Sequence, residues 1–224
     1  MSATKALRRA IFRRAALGSV SLMLASALAA AQAEAPAPTK APDAKAIAAP
    51  AAASPVLVRL TTALGEIDLE IDAAHAPVSA ANFLRYVDAG RYDGGRFHRT
   101  VRPDTESRKD VPIQVIQGGE GSERDDDFPP IALERTSVTG LSHLDGTLSM
   151  ARGAADSATS DFFICVGDQP LLDFGGARNP DGQGFAAFGR VVRGMEVVRR
   201  IQQSPAQEQT LTPPIAIVSA RRVL

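Results

Sequence analysis

The 224-residue sequence has little cysteine, little histidine and no excess of charge of either sign. Its single cysteine excludes an intrachain disulfide framework and a cysteine-rich zinc site. The three histidines, His75, His98 and His143, do not have the spacing of metal ligands. Twenty-five basic residues balance 25 acidic ones, which argues against a nucleic-acid-binding protein, because such proteins need a basic excess.

Several common enzyme motifs are also missing. There is no G-x-S-x-G elbow, so a serine hydrolase has little support. The glycine-rich stretch 173–184 lacks the Lys-Ser/Thr ending of a phosphate-binding loop and is interpreted as a surface loop. The acidic run 125–127 is typical of a solvated turn rather than a cation site. Cys165 lies in an apolar strand, which favours a buried, inert thiol over a nucleophile.

The N-terminus has the pattern of a secretory signal peptide. Residues 1–33 contain five basic and no acidic residues, a short Ala-rich apolar segment, and a small-x-small exit at 31–33. The alternative, an uncleaved membrane anchor, is disfavoured because a spanning helix needs about 20 apolar residues. We therefore expect a periplasmic or secreted protein without stable membrane insertion. Cleavage would leave 20 basic and 25 acidic residues, a formal charge of −5.

The rest of the chain divides into a linker and one domain. Residues 34–55 are mostly Ala and Pro, which indicates a semi-extended linker. Residues 56–224 are long enough to bury one core.

Short strands dominate the predicted domain. The segments 56–62 and 66–71 alternate apolar and polar residues around a glycine turn, which predicts a hairpin. Two helices are predicted: one follows Pro77 and is stopped by Gly90, and the second covers 195–202. Many strands with only two helices predict a mainly β protein built as a closed antiparallel barrel. The large apolar residues favour a filled interior; the alternative is a barrel that binds a small ligand inside. Further strands are predicted at 95–99, 115–117, 147–151, 162–166, 185–191 and 214–223.

Polar residues interrupt these apolar strands in a distinctive order. The segments are Phe97-His98-Arg99, Ile116-Gln117-Gly118-Gly119, Gly146 to Arg152, and Asp156 to Cys165. Together they resemble the cyclophilin family of peptidyl-prolyl cis-trans isomerases, over the whole of 56–224, and the Asp-Ser-Ala-Thr-Ser run is similar to bacterial periplasmic members.

The resemblance implies a fold and an activity. The fold is a closed eight-stranded antiparallel barrel capped by two α-helices, with a proline-binding groove on its outer face. The activity is rotation about X-Pro bonds, without metal or cofactor, by a monomer that acts on proline-containing polypeptides and assists the folding of exported proteins. A non-catalytic chaperone module that binds proline-containing peptides on the same fold is the alternative.

The resemblance also implies site residues. Arg99 corresponds to the catalytic arginine, and Gln117 to the glutamine that orients it and contacts the substrate carbonyl. Phe163 corresponds to the aromatic floor of the proline pocket. The residues expected to bind substrate are His98, Val115, Ala151, Arg152, Asp161, Phe163, Leu171, Leu172 and Phe185.

Four positions depart from the family pattern. A pocket phenylalanine falls on Gln114, and a tryptophan or phenylalanine falls on Leu171. A rim histidine falls on Phe185, and a glutamine falls on Asp161, whose carboxylate we expect either to pair with Arg99 or Arg152 or to favour basic residues beside the substrate proline. Loss of aromatic surface should weaken the apolar contact with proline. The loop 102–112 is longer than in typical members and is expected to border the groove.

Overall fold

The computed structural model describes residues 55–121 and 128–223, so the predicted signal peptide, nearly all of the linker and the acidic run 125–127 lie outside the described residues. The described ranges contain nine strands, three α-helices and one 3-10 helix. The strands are β1 (Val56–Thr62), β2 (Gly65–Ile71), β3 (Arg96–Val101), β4 (Val115–Gly119), β5 (Thr147–Met150), β6 (Phe162–Cys165), β7 (Ala186–Arg193), β8 (Ala206–Gln207) and β9 (Thr210–Val223). The helices are α1 (Pro77–Asp88), α2 (Thr136–Thr139), α3 (Met195–Gln202) and the 3-10 turn Pro170–Leu172.

Eight strands form a closed barrel in the order β1-β2-β7-β5-β6-β4-β3-β9, and β9 pairs back with β1. The neighbouring strands run antiparallel. Closure leaves no open edge in the main sheet. The two-residue strand β8 pairs with β9 outside the barrel. The predicted fold class is confirmed, with β8 and the short helix α2 as elements that the sequence pattern did not predict.

Helix α1 begins and ends where its sequence predicts. Pro77 occupies its first turn, where a missing N–H removes no helical hydrogen bond. The carboxylate of Glu134 accepts hydrogen bonds from the backbone N–H groups of Val78 (2.9 Å) and Ser79 (2.7 Å), which caps the first turn. Gly90, with φ of +65°, follows the last turn.

Aromatic rings fill the barrel interior. The ring of Phe83, from α1, lies 5.2 Å from that of Tyr92, 5.4 Å from that of Phe162 and 5.3 Å from that of Phe188. Phe97 contacts Phe162 at 5.8 Å. Because these side chains are fully buried, the interior is a packed core, as predicted, and not a ligand chamber.

A second, smaller apolar cluster lies apart from the barrel interior. Its buried members are Val101, Ile113, Val115, Phe163, Cys165 and Leu172. Cys165 is fully buried, which confirms the predicted buried cysteine, and this burial raises the pKa of its thiol. This cluster lies beneath the groove described next. Within 55–121 and 128–223, no helix is both long and apolar enough to cross a membrane.

Candidate active site

A groove of about 490 Å³ lies on the outer face of the barrel. Its walls come from β3, β4, β6 and the segment between the 3-10 turn and β7. Nine of the eleven predicted site residues line it: Arg99, Val115, Gln117, Ala151, Arg152, Asp161, Phe163, Leu172 and Phe185.

A β-bulge brings Arg99 to this groove. Phe97 points into the core, and in a regular strand Arg99, two residues later, would face the same side. Between Phe97 and Arg99 the register of β3 shifts against both β4 and β9. The extra residue turns Arg99 outward, as bulges commonly do beside active sites. Arg99 then pairs across the strands with Gln117, and Gln117 pairs with Phe163, so the three side chains lie in one row.

The guanidinium group of Arg99 is held on two edges by amide oxygens. Its Nη1 donates to Gln117 Oε1 at 2.9 Å. Its Nε and Nη2 both donate to Gln209 Oε1, at 2.9 and 2.6 Å. Burial and, after it, the positive charge of Arg178 lower the pKa of Arg99, although a guanidinium stays protonated at any physiological pH. Three of five N–H donors are used in these bonds, which leaves two for a ligand.

Gln117 is itself oriented by a carboxylate. Its Nε2 donates to Asp161 Oδ2 at 3.0 Å, so its oxygen faces Arg99. Asp161 Oδ2 also lies 3.5 Å from Nε2 of His98. The expected pairing of Asp161 with Arg99 or Arg152 is wrong. A Cβ atom at Gly119 would collide with the Asp161 carboxylate, so the glycine gives this side chain its space.

Arg152 has a different partner. Its guanidinium donates to both carboxylate oxygens of Asp181, at 2.8 and 2.9 Å, and to the carbonyl of Gly184. The guanidinium lies 5.2 Å from the ring centre of Phe185. Both contacts anchor the glycine-rich segment to the rim of the groove.

Phe163 forms the floor of the groove. Its ring is 5% exposed, meets the Phe185 ring edge-on at 5.5 Å and stacks on His143 at 5.9 Å. Ile113 supplies a further apolar wall. Gln114, where the family pattern has a pocket phenylalanine, leaves the apolar wall to its neighbour, because side chains alternate along this segment. Ile113, Val115 and Gln117 share the groove side, and Gln114 does not line the groove.

Known proteins match this architecture. The family model of the cyclophilin type peptidyl-prolyl cis-trans isomerase/CLD matches residues 57–222. This chain belongs to the cyclophilin family. The match confirms the predicted enzyme class, a peptidyl-prolyl isomerase.

Curated relatives and solved structures agree with the family match. Peptidyl-prolyl cis-trans isomerase A of Dickeya dadantii is 39% identical over 180 residues, which are 76% of this chain and 86% of that protein. The corresponding isomerase of Acinetobacter baylyi is 36% identical over 173 residues, 74% of this chain and 84% of that one. A crystal structure of a Cryptosporidium parvum cyclophilin has a TM-score of 0.61 at 22% identity, covering 76% of this chain and 98% of that chain. A second, at 22% identity, was determined in the presence of the dipeptide Ala-Pro and has a TM-score of 0.60, covering 75% of this chain and 99% of that chain.

Two predicted residues lie outside the groove of this cyclophilin. Leu171 is not among its lining residues, and its carbonyl accepts a hydrogen bond from the backbone N–H of Arg178 at 3.1 Å. The expected substrate contact of Leu171 stays a prediction. His98 lines a polar depression on the other side of Arg99, together with Arg102 and Gln209.

The long loop borders the cyclophilin groove, as predicted, through a buried ion pair. Glu106 Oε2 accepts from Arg178 Nη1 at 2.7 Å, and Arg178 lines the groove. The sequence pattern did not predict Gln209, Glu106 or Arg178. Arg99 and Gln209 are 110 residues apart, and Glu106 and Arg178 are 72 apart, so no local signal marks either contact. Among the described residues, no group of three or more His, Cys, Asp or Glu residues could hold a metal ion.

Proposed function

We propose that this chain rotates X-Pro peptide bonds of polypeptides bound in the groove, with Arg99 as the catalytic residue. The observation that carries the proposal is a guanidinium fixed on two edges beside an apolar pocket floored by Phe163. Proline is apolar and compact, and the walls formed by Val115, Leu172 and Phe185 suit its ring. The Ala-Pro dipeptide present with a structural relative belongs to the same substrate class.

The chemistry requires only a directed hydrogen bond. Rotation of a prolyl amide crosses a barrier of about 18–20 kcal/mol, because the C–N bond has partial double-bond character. As the bond twists, the nitrogen becomes pyramidal, and its lone pair, which the planar amide shares with the carbonyl, becomes localised on the nitrogen. A donor aimed at that nitrogen binds the twisted state better than either planar state, which lowers the barrier. The two N–H groups of Arg99 beyond its three bonds are the proposed donors.

Gln117 serves two roles in this proposal. Its oxygen orients Arg99, and one of its two amide hydrogens is bonded to Asp161. The second hydrogen is available to donate to the substrate carbonyl. Ala151, next to the end of β5, lines the groove, and its backbone N–H donates to the carbonyl of Asp161 at 2.9 Å. Its backbone carbonyl is the proposed partner for an extended peptide.

The activity assay tests both enzyme and site. Isomerisation of an Ala-Pro or Lys-Pro peptide is measured for wild type, Arg99→Ala and Arg96→Ala, an exposed arginine on the same strand. We expect kcat/KM to fall about a hundredfold for Arg99→Ala, the usual effect of removing a positioned donor. Arg96→Ala should retain the wild-type rate. If wild type binds the peptide without accelerating its rotation, the chain is a binding module instead.

The proposed place of action is the periplasm or the exterior of the cell, where the enzyme would assist the folding of exported proteins as a monomer. The support is the sequence of 1–33 and the linker-like composition of 34–55, just before the family match begins at residue 57. The mass of the protein from a periplasmic fraction tests this proposal. Removal of residues 1–33 is expected, and an intact N-terminus would contradict it.

A further inference from the structure

We propose that Gln209 and Glu106 are positioning residues for Arg99, supplied by segments outside the strands that carry Arg99 and Gln117. The proposal rests on the proposed function, in which Arg99 is the catalytic residue. Gln209 lies in the turn between β8 and β9, and Glu106 lies in the long loop between β3 and β4.

The hydrogen bond to Gln117 alone would leave the guanidinium free to pivot. Gln117 contacts only Nη1, at one corner of the planar group. Gln209 Oε1 accepts from both Nε and Nη2 on the opposite edge. A planar group bonded on two edges keeps one orientation, and the N–H groups left for substrate then point in one direction.

Glu106 orients Gln209 from the side of its amide that faces away from Arg99. Its Nε2 donates to Glu106 Oε1 and to the carbonyl of Thr105, each at 3.4 Å. The backbone carbonyl of Gln209 accepts from the backbone N–H of Thr100, at 2.9 Å, which holds the turn against β3. Because the amide nitrogen must face these acceptors, the amide oxygen must face Arg99. The arrangement mirrors the other edge, where Asp161 orients Gln117.

Glu106 is suited to this role because every contact made to it comes from a donor. The residue is 2% exposed, and its carboxylate accepts from Arg108 N, Ile113 N and Arg178 Nη1, at 2.8, 3.1 and 2.7 Å, besides Gln209. Burial alone would raise the pKa of Glu106, but the two backbone N–H groups and the charge of Arg178 hold it below the ordinary value. A glutamine at 106 would direct an NH2 group at some of these donors.

The test compares two disrupting variants with a matched control in the same hairpin. Gln209→Met keeps the size of the side chain and removes the oxygen that accepts from Arg99. Glu106→Gln replaces one carboxylate oxygen, an acceptor, with an NH2 group, a donor. The control, Gln207→Met, makes the same substitution at an exposed glutamine of β8. For each variant, kcat and KM are measured with a cis-Ala-Pro peptide, the peptide Kd by calorimetry, and the thermal midpoint to verify folding.

We expect kcat to fall about tenfold in Gln209→Met, equivalent to about 1.4 kcal/mol of barrier, and about threefold in Glu106→Gln. The peptide Kd should change less than about twofold, and Gln207→Met should match wild type. Gln209→Glu, which keeps an acceptor for Arg99 but faces Glu106, should give a kcat between wild type and Gln209→Met. It also serves as the second variant if Gln209→Met does not fold.

The outcomes separate this proposal from the proposed function. If Arg99→Ala loses activity but folded Gln209→Met keeps the wild-type kcat, the positioning role is refuted and the catalytic role stands. If Arg99→Ala keeps activity, the proposed function itself fails. A loss in Gln209→Met that appears equally in peptide Kd would assign Gln209 to substrate binding and would also overturn the positioning role.

Discussion

Asp161 is a groove-lining carboxylate whose charge no arginine neutralises in the described hydrogen-bond network. The arginines on the rim, Arg152 and Arg178, have Asp181 and Glu106 as partners. Asp161 instead accepts from the neutral amide of Gln117 and remains 38% exposed at its side chain. Replacing Asp161 by asparagine should therefore remove a preference for a basic residue beside the substrate proline.

The size of this preference follows from strand geometry. Asp161 precedes Phe163 by two residues on the same face, so its carboxylate lies about 7 Å along the strand from the floor of the proline pocket. Two unit charges about 7 Å apart in water interact by about 0.6 kcal/mol. A lysine in the peptide gains this energy and a glutamate loses it, a difference of about 1.2 kcal/mol, or about sevenfold in kcat/KM.

The assay compares peptides that carry lysine or glutamate before proline, at low salt and at 0.15 M. At the higher salt the Debye length is about 8 Å, so the preference should shrink to about twofold. Asp161→Asn keeps an oxygen that can accept from Gln117, so a uniform loss of activity cancels in the ratio of the two peptides. Asp110→Asn, an exposed site on the long loop, is the control.

The result that refutes this reasoning is the same Lys-to-Glu ratio in wild type and Asp161→Asn at low salt. A ratio that does not respond to salt would also contradict it, because the interaction is between solvent-exposed charges.

Three further predictions follow from the packing and the charges. Phe163→Leu should raise the peptide KM about tenfold, because an aromatic contact contributes about 0.5–1.5 kcal/mol beyond its area; an unchanged KM would show that Phe163 is not the floor for proline. Cys165 should resist a thiol reagent at pH 8 in the native protein and react fully in guanidinium, because burial raises its pKa; rapid native labelling would contradict its burial. Hydrogen bonding to Arg59, and further to Arg193, lowers the pKa of Asp68 from 3.8 to about 2. The stabilisation by Asp68 is complete above pH 3.8 and is lost as the pH falls through about 2. Since the pair is at the surface, Asp68→Asn should lower the free energy of unfolding at pH 7 by about 1 kcal/mol and flatten its dependence on pH in acid; an unchanged acid limb in denaturant titrations would refute the pairing.

Elements with a clear period could be predicted from the sequence. The alternation of Ile67, Leu69 and Ile71 with acidic residues predicts β2, and the structure buries those three side chains. The helix predicted at 195–202 is α3, with the same bounds. By contrast, β8 and α2 have two and four residues, which is too short for any period to be visible.

The set of residues that line the groove could be predicted only in part. Arg99, Gln117 and Phe163 lie in segments with recognisable order, and the strand pairing brings them together. The bulge after Phe97 has no sequence signal, although it turns Arg99 outward. The position of Gln114 away from the groove could not be predicted either, because it depends on how the long loop enters β4 and places Ile113 on the groove side.

The hydrogen-bond partners of Arg99 come from distant parts of the chain, so they could not be predicted from the segment around Arg99. Of the three arginines that line the groove, Arg152 and Arg178 are bonded to carboxylates, whereas the three hydrogen bonds described for the Arg99 guanidinium go to the amides of Gln117 and Gln209. A carboxylate partner would offset the positive charge on which the proposed hydrogen bond to the prolyl nitrogen depends, while an amide oxygen fixes direction and leaves the charge in place. Carboxylates still orient the two amides: Asp161 accepts from Gln117, and Glu106 accepts from Gln209. The guanidinium is thus oriented without a carboxylate beside it to neutralise its charge. The arrangement requires five residues from distant parts of the chain, and it exists only once the barrel has closed: Arg99, Gln117, Gln209, Asp161 and Glu106.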